Sequence, residues 1–485
     1  MHWCQHPESG RPQSVQRDPA AVPADFPIRV DEEAGTVTVA AGIPQRMLLD
    51  YLADYRYGRQ PAGWVLPAFS WWTDQTIGGA VATNSHGSTM RYGSLSSQVT
   101  GMTLVLANGT LLTATPKSHP HLFRALGVSV GRLGVVTELT LKIKPQMAVP
   151  KSLQQLTFAQ FAGQIKSSQD KYNAAKARGN VEGMKQVLFE VDETQVLWIV
   201  ESDTLWRTDF THLEKEPSYV LLNVLPGLEP PVEAMSGPDA SSGAIFDQKS
   251  KTPVRANPQM TSNPAYWGRF YATLGREYVT PGTWESRKSF LAMTEQGTRL
   301  TSTFAPYIQM EVAVPFEAAG DCLQGLAAQA YGPARLYKGF RNPALIRFVS
   351  GEEFYLSPNR GGPHLWVNLE DWISLSSGKP NDKFMAVMKY FRERCWARLH
   401  WGKGGWPQLA SCFDGAKEYP NSWCHFGCAA QELDPRGKFA GAGRGKTDVW
   451  VWNATRAGQA VPLASCCTPE GFSSECQCAS RGPCA

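Results

Sequence analysis

The strongest constraint on the fold is a change of composition between Trp64 and Pro145, where glycine, serine, threonine and short β-rich runs predominate. Within this stretch Asn108-Gly109 separates two apolar runs, and this dipeptide is typical of a tight hairpin turn. Val135 to Ile143 then alternates apolar and polar residues, as a half-buried strand does. The stretch therefore predicts a β-rich domain that Pro145 closes.

The flanking segments predict further helices and strands in mixed order. From Ile28 two alternating strands surround an acidic turn at Gly35, and Pro44 to Tyr55 has the apolar face of a helix. A Pro- and Ser-rich stretch, Pro226 to Pro264, predicts an extended surface loop. Later predictions are helices at 158–175 and 382–398, and strands at 195–201, 307–314, 346–350 and 365–372.

Charge and hydropathy exclude two classes of protein. The 485 residues contain 47 Lys plus Arg and 43 Asp plus Glu, a net charge of +4, and no run of basic residues, so a nucleic-acid partner has no support. No stretch of about 20 apolar residues predicts a membrane-spanning helix. The amino terminus shows no apolar core of a signal peptide.

Eight of the eleven cysteines lie between Cys412 and Cys484. Five of them fall between Cys466 and Cys484, which predicts a small disulfide-linked tail whose pairing the sequence does not give. The alternative is a reduced or metal-binding tail, but the tail has no histidine and the adjacent Cys466-Cys467 does not match the paired spacing of zinc sites. We therefore expect disulfides and no metal.

A glycine-rich segment, Gly78 to Ser88, is the first candidate for binding chemistry. Clustered glycines let a backbone approach a pyrophosphate or a flat ring closely. The spacing matches neither the P-loop nor the Rossmann fingerprint. The structural alternative is a tight β turn with a hydrogen-bonded histidine.

Two cationic residues are further candidates. Lys403, in Leu399-His400-Trp401-Gly402-Lys403, can present a positive charge to an anionic ring or a substrate hydroxyl, or it can cap a helix that ends at Gly402. Arg347 lies within an apolar strand and needs a partner, since an unpaired buried charge is costly. Glu370, Glu352 or a ligand are the alternatives for that partner.

Taken in order, these segments resemble one family of flavoproteins. The glycine-rich run followed by the hairpin and by GRLGVVTELTL is similar to the FAD-binding domain of the vanillyl-alcohol oxidase (PCMH) type. The HWGK sequence and the RFV-x-G-x-x-x-x-LSP run resemble the aldonolactone oxidoreductases within it, which include L-gulonolactone oxidase and D-arabinono-1,4-lactone oxidase. The cysteine-rich tail resembles the plant and algal branch. The resemblance implies an α+β, two-domain fold with a substrate cap domain.

The resemblance also implies roles for individual residues. Lys403 and Arg347 would lie at the flavin and the substrate oxygen, and Ser88 would face the substrate hydroxyl. The residues implied to contact FAD are Gly78, Gly79, Thr83, Ser85, His86, Gly87, Gly134 and Val135.

The chain departs from the family pattern at two places. The family's Glu-x-Arg strand reads Leu345-x-Arg347, so one expected carboxylate is absent. The chain also enters after the unit that carries the first phosphate loop, which predicts a truncated product or weakened FAD binding. The expected organisation is an extension at 1–26, an FAD-binding domain at 27–146, a cap domain at 147–410, a return segment at 411–450 and a Cys-rich tail at 451–485.

The function implied by the resemblance is FAD-dependent oxidation of an aldono-1,4-lactone by dioxygen to an ascorbate-type product. The alternatives are a lactone dehydrogenase, an alditol oxidase, or a flavin-poor secreted binding protein. The tail favours the secretory pathway, the cell exterior or peripheral association with a membrane.

Overall fold

The computed structural model describes residues 27–55, 63–70, 73, 75–210, 282–285, 307–337, 340, 344–372, 380–404, 406, 413–440 and 449–481. The predicted extension at 1–26 and the predicted loop at 226–264 lie outside these residues. No helix in the described part is long and apolar enough to cross a lipid bilayer.

The first part of the chain forms an antiparallel sheet with helices against it. Its elements are β1 (Ile28–Asp31), β2 (Thr36–Ala40), α1 (Gln45–Asp54), β3 (Trp64–Val65), α2 (Ile77–Ala82), β4 (Val99–Val105), β5 (Leu111–Ala114), α3 (Pro120–Leu126), β6 (Val135–Lys142) and β7 (Lys144–Pro145). Five of these described strands pair in the order β1-β2-β6-β4-β5, and β3 pairs with β7. The predicted hairpin at Asn108-Gly109 is confirmed as β4–β5, with Gly109 at a φ of +86°.

The middle of the chain forms a larger sheet covered by helices. Its elements are β8 (Ala148–Leu156), α4 (Phe158–Ala177), α5 (Val181–Phe189), β9 (Thr194–Ile199), β10 (Thr204–Phe210), β11 (Gly282–Glu285), β12 (Tyr307–Pro315), α6 (Phe316–Ala330), β13 (Ala344–Val349), β14 (His364–Trp372), α7 (Asp382–Arg394) and β15 (Arg398–Leu399). These strands pair in the order β11-β8-β10-β9-β13-β14-β12-β15 within the described residues.

Alternation along the strands separates the two faces of this sheet. Ile346 and Phe348 of β13 and Val312 of β12 point into the main hydrophobic core, with the ring of Phe158 stacked on Trp198. The residues between them, including Leu345 and Arg347, point to the opposite face. That face carries most of the candidate site described below.

The last part of the chain forms a disulfide-linked unit. Its elements are α8 (Gly415–Glu418), α9 (Ser422–Leu433), β16 (Asn453–Arg456), β17 (Gln459–Val461), β18 (Cys467–Thr468), β19 (Gly471–Phe472) and β20 (Cys476–Ala479). The disulfides Cys424–Cys478 and Cys428–Cys467 join α9 to the tail, and Cys466–Cys476 closes the tail on itself. This confirms the expectation of a disulfide tail. A fourth bridge, Cys322–Cys395, which the sequence did not indicate, ties α6 to the residue after α7.

Candidate active site

The candidate site lies on three central strands of the larger sheet, on the face opposite the main hydrophobic core. Glu311 of β12 pairs with Asn368 of β14, and Arg347 of β13 pairs with Trp366 two residues earlier on β14. Residues two apart on a strand share a face, so these side chains point the same way. Gln309 lies on that face two residues before Glu311. The pairing therefore gathers polar residues from distant parts of the sequence.

The glycine-rich segment after α2 docks on this face. The imidazole of His86 lies 4.2 Å from the ring of Trp366, centroid to centroid, and the His86 carbonyl accepts a hydrogen bond of 3.0 Å from Arg347 Nη1. Ser88 is fully buried; its hydroxyl donates to the Thr194 carbonyl and accepts from the Phe348 N–H at 2.9 Å. Two backbone partners thus engage the Ser88 hydroxyl, so its implied contact with a substrate stays a prediction.

A buried carboxylate, Glu311, is the centre of the site. Its Oε1 accepts a hydrogen bond from the guanidinium of Arg347 and lies 3.3 Å from His86 Nε2. Its Oε2 lies 3.9 Å from the Lys403 ammonium and accepts a hydrogen bond of 3.4 Å from Asn368. One carboxylate therefore balances the charge of two cations and lies beside one imidazole.

Lys403 occupies the more open side of this cluster. Its Nζ donates to Gln309 Oε1 at 2.7 Å, and Gln309 Nε2 donates to Glu370 at 2.5 Å. The Lys403 side chain keeps 19% of its surface exposed, whereas that of Glu311 keeps none. Lys403 is thus the charged group of this cluster that a bound molecule can reach directly.

The surroundings set the charge of each group. Burial alone would raise the pKa of Glu311, but Arg347, His86 and Lys403 together hold it well below its ordinary value, so Glu311 is ionised. Burial lowers the pKa of Lys403, and Arg347 lowers it further, while Glu311 opposes both effects. Burial raises the pKa of Glu370. Glu311 is therefore the stronger counterion of the two carboxylates.

Two histidines beside Glu311 are held neutral. Burial lowers the pKa of His86, with Arg347 adding to the effect, and burial lowers the pKa of His400 well below its ordinary value. His86, Glu311 and His400 are close enough to share a metal ion. Because Glu311 already pairs with Arg347 and faces Lys403, a further cation would meet two positive charges there. We interpret this cluster as a carboxylate–cation network.

Two interpretations of the cationic residues need correction. Arg347 pairs with Glu311, and not with Glu370 or Glu352; Glu352 instead accepts hydrogen bonds from Asn84 and from several serines. The helix before Lys403 ends at Arg394, and residues 398–399 form β15, so Lys403 follows a strand and does not cap that helix. The tight reversal at Trp396, with a φ of +53°, separates the helix from the strand.

The structure brings some of the implied FAD residues to the site. The loop of Lys403 packs on α2, since a Cβ at Gly402 would lie 3.0 Å from the Thr83 hydroxyl. The Ser85 hydroxyl donates to Gln75 at 2.8 Å. The carbonyl of the buried Gly87 accepts a hydrogen bond of 2.9 Å from His86 in the tautomer whose Nδ1 carries the proton. These residues therefore border the network around Glu311.

Other implied residues have structural roles in what is described. Gly78 donates to the Ala41 carbonyl at 2.8 Å and packs so closely that a Cβ would lie 2.8 Å from the Ala41 methyl; Gly79 donates to the Thr76 hydroxyl. Gly134, at a φ of +148°, allows β6 to pass β4, and Val135 is exposed. No hydrogen bond or ion pair of the described residues joins Gly134 or Val135 to the network. Their contacts with FAD stay predictions.

The sequence did not single out Glu311, Gln309 or Asn368 as functional. Their signal is a polar residue at alternate positions of strands that are otherwise apolar, as in Gln309 and Glu311 within YIQMEVAVP. Such a pattern also describes a solvated strand. Only the pairing of β12 with β14 shows that this face is covered by His86 and its neighbours.

The residues present fit a flavin. On α2, Gly79 is exposed and has no side chain, and Thr83 is half-buried beside the loop of Lys403, so a flat or phosphorylated group can approach the backbone there. Arg347 Nε is buried without a hydrogen-bond partner among the described residues. An unpartnered buried donor suits a ring that carries carbonyl acceptors.

Comparison with known proteins agrees with this arrangement. Residues 27–115 match the family model of an FAD binding domain, and residues 294–444 match that of D-arabinono-1,4-lactone oxidase. The chain is 34% identical over 122 residues to D-arabinono-1,4-lactone oxidase of Yarrowia lipolytica, an alignment that covers 25% of this chain and 22% of that protein.

Other relatives align over most of the chain. L-gulonolactone oxidase of Bos taurus is 22% identical over 86% of this chain and 81% of its own length, and L-gulono-1,4-lactone dehydrogenase of Mycobacterium tuberculosis is 22% identical over 84% and 80%. Cholesterol oxidase of B. sterolicum shares the fold, with a TM-score of 0.57 at 15% identity over 87% of this chain and 82% of that one. The chain is therefore an FAD-binding oxidoreductase that is similar to L-gulonolactone oxidase and D-arabinono-1,4-lactone oxidase.

Proposed function

We propose that this protein oxidises the C2 hydroxyl of an aldono-1,4-lactone, with dioxygen as the electron acceptor. The lactone loses two electrons and two protons, dioxygen becomes hydrogen peroxide, and the product rearranges to an ascorbate-type enediol. The single observation that supports this proposal is the pair of cations, Arg347 and Lys403, held on one buried carboxylate beside the glycine-rich segment. Bound FAD would supply the hydride acceptor.

Each residue of the network has a defined part in this proposal. The Lys403 ammonium, which is partly exposed, binds the oxygen of the reacting carbon and stabilises negative charge on it as the hydroxyl proton leaves. The free Nε–H of Arg347 donates to an acceptor on the cofactor or the substrate. Gln309 and Glu370 orient Lys403 through a chain of two hydrogen bonds.

The disulfides support a location in an oxidising compartment. Four bridges with partners 10 to 73 residues apart join described cysteines, and such bridges persist mainly in secreted or extracytoplasmic proteins. We propose the secretory pathway or the cell exterior as the site of action.

Purification of the full chain followed by an absorbance spectrum and an oxygen electrode tests the function. We expect visible flavin absorbance and lactone-dependent oxygen uptake with one hydrogen peroxide formed per oxygen consumed. Dye reduction without oxygen uptake would assign a dehydrogenase, and a response to sugar alcohols alone would assign an alditol oxidase. Absence of flavin after reconstitution would leave the flavin-poor binding protein.

A further inference from the structure

Glu311 is the most completely enclosed charge in the candidate site. Its side chain has no exposed surface, and it contacts the Arg347 guanidinium while lying 3.9 Å from Lys403 Nζ. Two cations buried this close repel each other, and without an anion the desolvated lysine would lose its proton. The site therefore requires one carboxylate near this position to keep Lys403 protonated beside the permanently charged Arg347.

The sheet register shows where else that carboxylate can stand. Leu345 of β13 pairs with Asn368 of β14, and Asn368 pairs with Glu311 of β12. The three residues form one row across the sheet, and their side chains point to the same face. Arg347 is two residues from Leu345 on that face, so a carboxylate at either end of the row can reach its guanidinium.

The family resemblance places a carboxylate at the Leu345 end of this row, where this chain has leucine. Leu345 is only 6% exposed and contacts none of the charged groups by a hydrogen bond among the described residues. Asn368, in the middle of the row, donates to Glu311 at 3.4 Å and so holds the carboxylate at the β12 end. In this chain the row thus has its carboxylate at Glu311 on β12, whereas the family resemblance places one at position 345 on β13.

We propose that Glu311 is the positioning residue that keeps Lys403 protonated and holds Arg347 and Lys403 toward the substrate, in place of the carboxylate that is absent at Leu345. This inference rests on the proposed function. Glu311 acts through the two cations, since its own oxygens accept hydrogen bonds from Arg347 and Asn368. A carboxylate at position 345 should accordingly replace the one at position 311 and keep Arg347 and Lys403 in place.

The first experiment compares E311Q with the relocated pair E311Q/L345E in FAD-loaded protein. E311Q keeps the shape of the side chain but removes the charge, so we expect kcat to fall about 10²-fold or more, with a smaller change in KM. The kcat of E311Q/L345E should be at least about tenfold higher than that of E311Q, because the carboxylate at position 345 restores the negative charge. E317Q, which removes a carboxylate from a surface pair with Lys176, is the matched control and should match the unmutated protein.

Two results would overturn the inference. One is an E311Q protein with unchanged kcat; the other is a folded, flavin-loaded E311Q/L345E protein no more active than E311Q, since a purely structural carboxylate would not be replaced from the other end of the row. Should E311Q fail to fold, E311D replaces it. The shorter carboxylate keeps the charge, so kcat should fall less than about tenfold; a loss of about 10²-fold or more would contradict the proposal.

A second readout needs no substrate. The titratable groups that act on Lys403 are Glu311 on β12, Glu370 on β14, Arg347 on β13 and the imidazole of His400. In E311Q the Lys403 amine should react faster with an acylating reagent at neutral pH than it does in the unmutated protein. The extent of acylation is measured by mass spectrometry of the peptide that contains Lys403, after digestion of the labelled protein. E311Q/L345E should return this rate toward that of the unmutated protein. Equal rates in all three proteins would contradict the inference. If no lactone is oxidised but the rates shift as expected, the proposed function fails and the role of Glu311 stands.

Discussion

The imidazole of His86 lies 4.2 Å from the indole of Trp366, so the glycine-rich segment of the first domain rests on the centre of the larger sheet. Trp366 is fully buried, and its Nε1 donates to Asn359 at 2.8 Å. The contact fixes His86, whose carbonyl accepts from Arg347, over the row of polar residues. The ring contact with Trp366 and the hydrogen bond from Arg347 thus both hold His86 against the larger sheet.

Removal of the Trp366 ring should weaken both folding and flavin binding. W366A leaves a cavity under His86 and should cost about 3–5 kcal/mol of the free energy of unfolding, measured by denaturant titration. The retained flavin per protein should fall as well. Trp396, which is 80% exposed, provides the control W396A, for which no comparable loss is expected; a similar loss in both variants would contradict the role of the contact.

Loss of the Lys403 charge should slow the chemical step. K403M removes the ammonium that donates to Gln309 and should lower the rate of flavin reduction by about 10²-fold or more, measured by stopped-flow absorbance. K389M, on the exposed face of α7 beside Glu393, is the control and should leave the rate unchanged. An unchanged rate in K403M would assign Lys403 a structural role.

The activity should decline at alkaline pH because of Lys403. Burial and Arg347 lower the pKa of this ammonium, so its charge is present at low pH and is lost as pH rises through a value below the ~10.4 of a free lysine. The kcat should therefore decrease at alkaline pH. A K403R variant with residual activity should not show this decrease, since arginine stays charged. A fall at the same pH in K403R would exclude Lys403 as its cause.

The contact between the tail and α9 should weaken in acid. Phe472 N–H donates to His425 Nδ1 at 2.9 Å, and burial, with nearby His121, Arg360 and Arg124, lowers the pKa of His425 to about 4. The unfolded value is ~6.5, so this contribution to stability is complete above pH ~6.5 and is lost as pH falls toward 4. Hydrogen exchange of residues 467–472 should therefore increase over that range, and H425Q should remove the increase; an unchanged slope in H425Q would contradict this assignment.

The bridge between α6 and α7 should contribute substantially to stability. Cys322–Cys395 closes 73 residues, and the loop-entropy relation gives about 4 kcal/mol for C322A/C395A in the free energy of unfolding. The Cys466–Cys476 bridge closes 10 residues and should contribute about 3 kcal/mol by the same relation. Thermal unfolding of both double variants checks this; a smaller effect at Cys322 than at Cys466 would contradict the entropic account.

Local signals in the sequence predicted local structure well. Asn108-Gly109 predicted the β4–β5 hairpin because a turn depends on adjacent residues, and the alternation from Val135 predicted β6. Lys403 and Arg347 could be named as candidates because each is a charged residue that differs from its neighbours in its own segment. The helix predicted to end at Arg398 ends four residues earlier, at Arg394. The chain reverses at Trp396, where no glycine or proline marks the turn in the sequence.

The remaining features depend on pairing between distant residues. Glu311 meets Arg347 only because β12 and β13 both pair with β14. Likewise, the number of ways to pair many cysteines is large, so the bonds of Cys424 and Cys428 to the tail had no sequence signal. Both cases require the tertiary fold.

The most direct test of the account is anaerobic mixing of the purified, FAD-loaded protein with L-gulono-1,4-lactone and D-arabinono-1,4-lactone, with the visible flavin absorbance followed over time. The account predicts that at least one lactone bleaches the absorbance, and that admission of air restores it with one hydrogen peroxide formed per flavin. A flavin-loaded protein whose absorbance neither lactone changes would contradict the account.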